Sequence, residues 1–484
     1  MRGREKQIVV VGAGLGGLAT ALRLQHEGYE VTVLEKNATV GGKLTERRIG
    51  SYRWDMGPSL LTMPDVLDEL FLSIGKQRRD YLDLVRVEPT CRYFWDDGTV
   101  LDEDKHFFSR KDVQAFMRYA KGIYDLSGEA FLMRPPEDFW KAFTPANWPK
   151  LIHMPKVATF ASVAQEVARR FEDHRLRQLF ERFATYNGSS PYKAPATFNV
   201  IPYVEVEFGG WYIKGGMVQL ARVLEKLCLA AGVTIRCGSQ VLKLDEKGVE
   251  LTGGEILQAE HYVVNGDVIR AHNEWIRVSG WERQAKHLNQ PELSLSGFVM
   301  FLGVKKQYQE LSHHNIFFSS NYQEEFNDLF EEKQFPRDPT VYVNITARTD
   351  QQDAPEGCDN FFILVNAPAD TKGPEWNKRK DEYAERVYRK LESCGLQGIR
   401  EQIVESSFFT PNEFANRDVT TEGSLYGWAS HSPWTALMRP RIQSPLWRSL
   451  YFVGGTTHPG GGIPLVILSS QMVAEKIKRG SHKS

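Results

Sequence analysis

An apolar run that ends in closely spaced glycines constrains this chain more than any other feature. Residues 8–17 read Ile8-Val9-Val10-Val11-Gly12-Ala13-Gly14-Leu15-Gly16-Gly17, the pattern of a buried strand entering G-x-G-x-x-G. Glycine at these places permits a tight turn and lets backbone N–H groups approach a pyrophosphate at a helix N-terminus. Leu18, Ala19, Ala21, Leu22 and Leu24 follow as the small or apolar inner face of a helix, and Gly28 ends it. A second strand, Val31-Thr32-Val33-Leu34, delivers Glu35, at roughly the 20-residue separation expected of a carboxylate that accepts from an adenosine ribose hydroxyl. Strand, turn, helix, strand and acid in this order predict a Rossmann-type α/β unit. Its nucleotide contacts are predicted at Gly12, Gly14, Leu15, Gly16, Gly17 and Glu35.

The residues beyond Glu35 bear on which dinucleotide is held. Lys36 is followed by Val40-Gly41-Gly42-Lys43 and then by Asp55-Met56-Gly57-Pro58. A nicotinamide domain needs no glycine–lysine loop here, although Gly41-Gly42 alone also suits a surface turn. An extended FAD does need chain along its ribityl and diphosphate. Lys36, Gly41, Gly42, Lys43, Gly57 and Pro58 therefore point to FAD. Near the other end, Leu450-Tyr451-Phe452-Val453 reads as a strand, Gly454-Gly455-Thr456-Thr457-His458-Pro459-Gly460-Gly461-Gly462 as a loop, and Ile463-Pro464 as the start of a helix from Leu465 to about Ile477. The positive end of that helix suits negative charge on a reduced flavin; a close-packed strand–loop–helix is the plainer reading. Gly454, Gly455, Thr457, Gly462, Ile463 and Pro464 join the predicted FAD contacts.

These segments together resemble the bacterial-type carotenoid desaturases, the phytoene and diapophytoene desaturase group of FAD flavoproteins that also includes carotenoid 3,4-desaturases. The resemblance extends to Phe183-Ala184-Thr185-Tyr186-Asn187-Gly188-Ser189-Ser190-Pro191 and Trp211-Tyr212-Ile213-Lys214-Gly215-Gly216-Met217, and Thr457–Pro464 is its most specific string. It implies an amine-oxidase-like flavoprotein fold, with backbone near Val241 pairing with adenine. Relatives in the wider superfamily carry an acid after the C-terminal strand; here Gly454-Gly455-Thr456 stands in that neighbourhood, which disfavours an amine oxidase. Tyr186-Asn187-Gly188 and His458–Gly462 are closer to enzymes of partly desaturated or end-modified carotenoids.

Composition agrees with such an enzyme. The 484 residues, 42% hydrophobic, suffice for a large core. A net charge of −1 without a basic tail argues against a nucleic-acid partner. Cys91, Cys228, Cys237, Cys358 and Cys394 are dispersed, so neither a metal site nor a disulfide framework is expected, and a reducing cytosol is. The first strand starts too early to leave room for a signal peptide, and no run reaches the ~18 apolar residues of a spanning helix. The expectation is a cytoplasmic protein held peripherally at the inner face of a membrane.

Domain boundaries are expected to be discontinuous: FAD-binding parts at 1–85, 215–290 and 425–484, and substrate parts at 86–214 and 291–424. Together they predict an α/β FAD-binding domain with an α+β substrate domain. The segment Ala130–Phe143, with Trp148, His153-Met154-Pro155 and Lys141, Lys150 and Lys156, suits both a cap on the substrate cavity and a surface that dips among lipid headgroups. Met217–Ala231 reads as a helix, and Gly232–Arg236 and Gln240–Leu244 as strands. Residues 297–304, 341–345 and 361–365 suggest an antiparallel sheet roofing the substrate site.

The implied reaction moves a hydride from an allylic CH₂ to flavin N5 and loses a proton from the adjacent carbon, with oxygen or a quinone as electron acceptor. An acyclic carotenoid spreads the developing charge over its own polyene, so few polar catalytic groups are needed. His458 is a candidate to orient the flavin or take the proton, against the plainer reading of a residue that fixes its loop. Glu205 and Glu207 alternate along a predicted strand, Val204–Phe208, as bases or, more simply, solvated acids. Arg182 and Tyr186, four apart on a helix, read as a surface pair. Alternatives are a terminal-methyl oxygenase or a cis–trans isomerase of the same family, and, in another class, a noncatalytic flavin-bound carrier of prenyl lipids.

Overall fold

Five parallel strands build the central sheet, in the order Leu450–Val453, His261–Asn265, Gln7–Val11, Glu30–Leu34, Thr234–Arg236. The computed structural model describes residues 6–127, 161–373 and 375–481, and the aromatic stretch from Ala130 to Lys156 lies outside them. The strands read as near-continuous apolar runs because both faces are covered. Ile8, Val10, Val31, Val33, Val263 and Val453 pack toward the helices Leu15–His26, Val218–Ala230 and Ile463–Ser481. Val9, Leu34, Tyr262, Val264 and Phe452 pack the other way, against the antiparallel strands Val241–Asp245 and Gly248–Leu251 and the helix Val268–Glu274. The predicted helix and strands between residues 217 and 245 thus stand within a residue or two of their expected places.

The second sheet is larger than the three runs that announced it. Seven strands stand in the order Ile403–Phe409, Ser296–Val304, Asp359–Ala367, Val341–Ile345, His314–Phe317, Arg92–Phe94, Val100–Asp102. All pairings are antiparallel except His314–Phe317 with Arg92–Phe94. Ser296–Val304 is buried along its whole length, flanked on both edges by its partners. An aromatic core on one side packs Tyr93, Phe116, Phe180 and Phe318 with the helices Lys111–Ser127 and His174–Glu181.

Two expectations fail in this region. Val204–Phe208 is no strand: it ends the helix Val200–Phe208. Alternation would have put Glu205 and Glu207 on one face, whereas the helix buries Glu205 and leaves Glu207 exposed. Packing against Lys111–Ser127 overrides the strand propensity of valine. Arg182 and Tyr186 are not a surface pair either. Arg182 is 6% exposed, and its guanidinium donates to the hydroxyls of Tyr186 (3.2 Å) and Tyr93 (2.9 Å).

A buried ion cluster ties the hairpin of Glu46–Ile49 and Tyr52–Asp55 to the seven-stranded sheet. Arg53, 2% exposed, lies on the strand Tyr52–Asp55. Its guanidinium bonds Asp55, reaches Asp353 at 3.1 Å and donates to Glu46 at 3.0 Å, while its carbonyl accepts from Asn360 (2.6 Å). Only glycine fits at position 216, where a Cβ would lie 1.6 Å from the Arg53 guanidinium. The residues that deliver Met56, Gly57 and Pro58 to the interior are therefore anchored to that sheet and, through Gly216, to the turn before the helix Val218–Ala230. Arg53→Met strips Asp55 and Asp353 of their buried cation, and should cost about 3–5 kcal/mol, read as a lower urea midpoint.

Candidate functional site

The first glycine turn is built around one side chain from another strand. Asn265, at the end of His261–Asn265, donates from Nδ2 to the Gly12 carbonyl (3.2 Å). A Cβ would meet the Asn265 carbonyl at 2.2 Å on Gly12, and the Asn265 amide at 2.8 Å on Gly14 and 2.7 Å on Gly16. A Cβ on Gly42 would stand 3.2 Å from the Gly14 Cα. Gly14 precedes the helix Leu15–His26, which has neither a capping side chain nor an acid in its first turn. Its leading N–H groups thus keep their partnerless, positive end for a phosphate. Glu35, buried beside them, accepts from the backbone N–H of Ala13 (2.8 Å) and, on its other oxygen, from Asn37 (2.9 Å). Asn37 Nδ2 donates to that same oxygen (2.8 Å); a carboxylate has about four lone-pair sites, so one remains for a ribose hydroxyl.

One continuous cavity of about 870 Å³ runs from this turn to the C-terminal loop. Gly12, Gly14, Leu15, Gly16, Glu35, Lys36, Gly41, Gly42, Lys43, Gly57, Pro58, Val241, Gly454, Gly455, His458, Gly462, Ile463 and Pro464 all lie on its wall. Gly17 and Thr457 do not. Gly17 faces the Gly12 carbonyl, where a Cβ would stand at 2.1 Å, and so closes helix onto turn. Thr457 is fully buried, its hydroxyl donating to the Gly454 carbonyl (3.1 Å), and Thr456 takes the wall position. His458 is 5% exposed, and its backbone N–H donates to the Pro440 carbonyl (3.0 Å). Lys43 donates from Nζ to the Leu425 carbonyl (2.8 Å); burial pushes its ammonium below the usual range, against the pull of Asp418 and Asp267. The helix Ile463–Ser481 likewise has no acid in its first turn.

Past the C-terminal loop the wall turns aliphatic and aromatic, with Ile201, Val204, Val299, Ile316, Phe362 and Leu364. A polar cluster breaks it, joining Arg182, Tyr186 and Glu205, which the sequence reading names, to Tyr93 and Glu103, which it does not. Tyr186 donates to Glu205 (2.6 Å), Tyr93 donates to Glu103, and Arg182 spans both phenols. Burial, and then the Glu205 carboxylate, push Glu103 up to about 8, so its protonated carboxyl donates to Glu205. Burial also raises the Tyr93 and Tyr186 phenols. Asn265 and Arg439, both on the wall, were missed as well; four glycines spaced for a close neighbour were the available sign of Asn265.

These residues fit a bound flavin dinucleotide, and comparison with known proteins agrees. Residues 15–478 match the pattern of the flavin-containing amine oxidoreductases. The chain is 36% identical to a 4,4'-diapolycopene oxygenase of Methylomonas, covering 98% of each chain, and 34% identical to a 1-hydroxycarotenoid 3,4-desaturase of Flavobacterium, covering 98% of this chain and 99% of that one. The chain belongs to the flavin-containing amine oxidoreductase family. Within it, the chain stands with the carotenoid desaturases and oxygenases and is an FAD-dependent oxidoreductase. Cyclohexylamine oxidase from Brevibacterium oxydans shares the fold at a TM-score of 0.62, with 15% identity over 98% of this chain and 99% of that one.

Two outcomes follow from this geometry. Gly14→Val drives a branched side chain into Asn265, and the purified variant should carry less than a tenth of the parent's FAD by absorbance. Glu103 ionises in the usual carboxylate range when unfolded and near 8 when folded, so stability falls as pH rises through that window. Glu103→Gln keeps a donor toward Glu205 without titrating. Its unfolding free energy should match the parent's at about pH 5 and exceed it at about pH 8.5, in urea titrations at both.

Proposed function

We propose that this chain is an FAD-dependent desaturase of acyclic carotenoids, working peripherally at a membrane surface. The observation that carries this reading is the single cavity that begins at the dinucleotide turn and continues between apolar walls. A long hydrocarbon gains about 25 cal/mol for each Å² buried in such a space, and the enclosure keeps water from the reacting carbons. FAD, when bound, supplies the hydride acceptor. The chain's own part is to hold an allylic CH₂ against the C-terminal loop, between Gly455–Ile463 and the wall at Val299, Ile316 and Phe362.

Few polar groups are required for this. His458, a wall residue within that loop, is proposed to fix its geometry or receive the departing proton. A polyene enters directly from lipid, and among the described residues no helix is long and apolar enough to cross a bilayer. Oxygen or a quinone is the proposed electron acceptor. A second reading, terminal-methyl oxygenation, draws support from the 36% identity to a diapolycopene oxygenase.

Cells that make phytoene or diapophytoene and express this chain should accumulate polyenes of longer absorption wavelength, resolved by chromatography. The same cells with Gly14→Val should not. Unchanged pigments under those conditions, and also with neurosporene, lycopene or hydroxylated carotenes supplied, would sink the desaturase reading. Label from ¹⁸O₂ in the product would replace it with the oxygenase.

A further inference from the structure

Arg439 is a buried cation whose partners are all neutral. It is 3% exposed and lies on the cavity wall. Nη2 donates to Asn187 Oδ1 (2.6 Å), and Nη1 to the carbonyl of Tyr426 (2.9 Å). The carbonyls of Trp428 and Gly455 lie at 3.5 Å. Among the described residues no carboxylate pairs with it, in contrast to Arg53, which faces three. Burial alone pushes its guanidinium down to about 10, with only Tyr426 opposing.

Its place in the chain is tied to the C-terminal glycine loop. The next residue, Pro440, accepts from the His458 N–H, and Ile442 accepts from the Phe452 N–H (2.9 Å). A Cβ on Gly460 would touch Arg439 Nε at 3.4 Å. Asn187 belongs to the segment whose Gly188 packs against Tyr426, and Gly461 packs against the same ring. A desolvated charge of this kind is expensive unless something balances it, and the wall it occupies is where the flavin's loop runs.

We propose that Arg439 is the standing counter-charge for reduced flavin, which makes it a redox-tuning residue of this enzyme. The inference rests on FAD occupying the cavity and not on the identity of the polyene. Reduction adds a hydride, two electrons and one proton, to neutral FAD, and leaves one negative charge on the ring system; the hydride comes from a substrate C–H bond or, in the test, from dithionite electrons and a solvent proton. With Arg439 in place that charge completes an ion pair in a low-dielectric site, so the reduced state is favoured.

The test uses the FAD-loaded protein without substrate. Arg439→Gln should make two-electron reduction at least tenfold less favourable, a midpoint at least ~30 mV more negative. It should also weaken sulfite addition, which likewise leaves negative charge on the ring, by at least tenfold in Kd. Asn187→Asp places a carboxylate on the existing 2.6 Å contact and neutralises Arg439 while preserving its hydrogen bond; it should shift both readings in the same direction. Arg439→Lys keeps the charge and should stay within threefold of the parent. An Asn187→Asp protein that holds FAD at the parent's potential and sulfite affinity overturns the proposal, even if Arg439→Gln fails to fold. So does an Arg439→Lys protein that loses as much as Arg439→Gln.

Discussion

The cavity's first turn depends on the close approach of Asn265 to four glycines that present no side chain toward it. Gly12, Gly14, Gly16 and Gly17 all present to Asn265 the side on which another residue would carry its Cβ. Because that space is filled by the amide, the turn has one conformation before any ligand arrives. Preorganisation of this kind lowers what binding must spend on ordering the backbone. The glycines are therefore required by the protein itself, whatever else the turn holds.

Charge is handled in three ways in the same molecule. Around Arg53, three acids surround a cation that takes no part in the cavity, and the result is a rivet that holds a hairpin on the seven-stranded sheet. Around Arg182, two phenols and a carboxyl pair sharing a proton spread the charge over a network on the cavity wall. Arg439 alone is solvated by carbonyls and one amide. The number of acids near each arginine separates scaffold from site.

Local signals made most of the cofactor frame legible in the sequence. The glycine turn, the strand to Glu35 and the C-terminal loop are short stretches in which residue type dictates backbone shape, and nearly all their predicted contacts stand on one cavity wall. Gly17 and Thr457 show the limit, since a motif residue can serve packing inside the motif. Arg182, Tyr186 and Glu205 were visible as residues, but their union with Tyr93 and Glu103 was not, because they come from separate stretches of chain that only the tertiary fold joins. Val204–Phe208 misled for a related reason: alternation names a strand only when no neighbour demands a helix. The short strands Arg92–Phe94 and Val100–Asp102 carry too few residues to announce themselves.

The strand order of the parallel sheet also sets a schedule for synthesis. The turn at Gly12–Gly17 leaves the ribosome early, but its brace at Asn265 follows long afterwards, and Leu450–Val453, which pairs with His261–Asn265, later still. Pairings between such distant segments form slowly, and the waiting strands are apolar and sticky. A nascent chain halted before residue 450 has half a cradle and an open sheet edge. The cavity that would take FAD is therefore complete only once the last segment of the chain has been made.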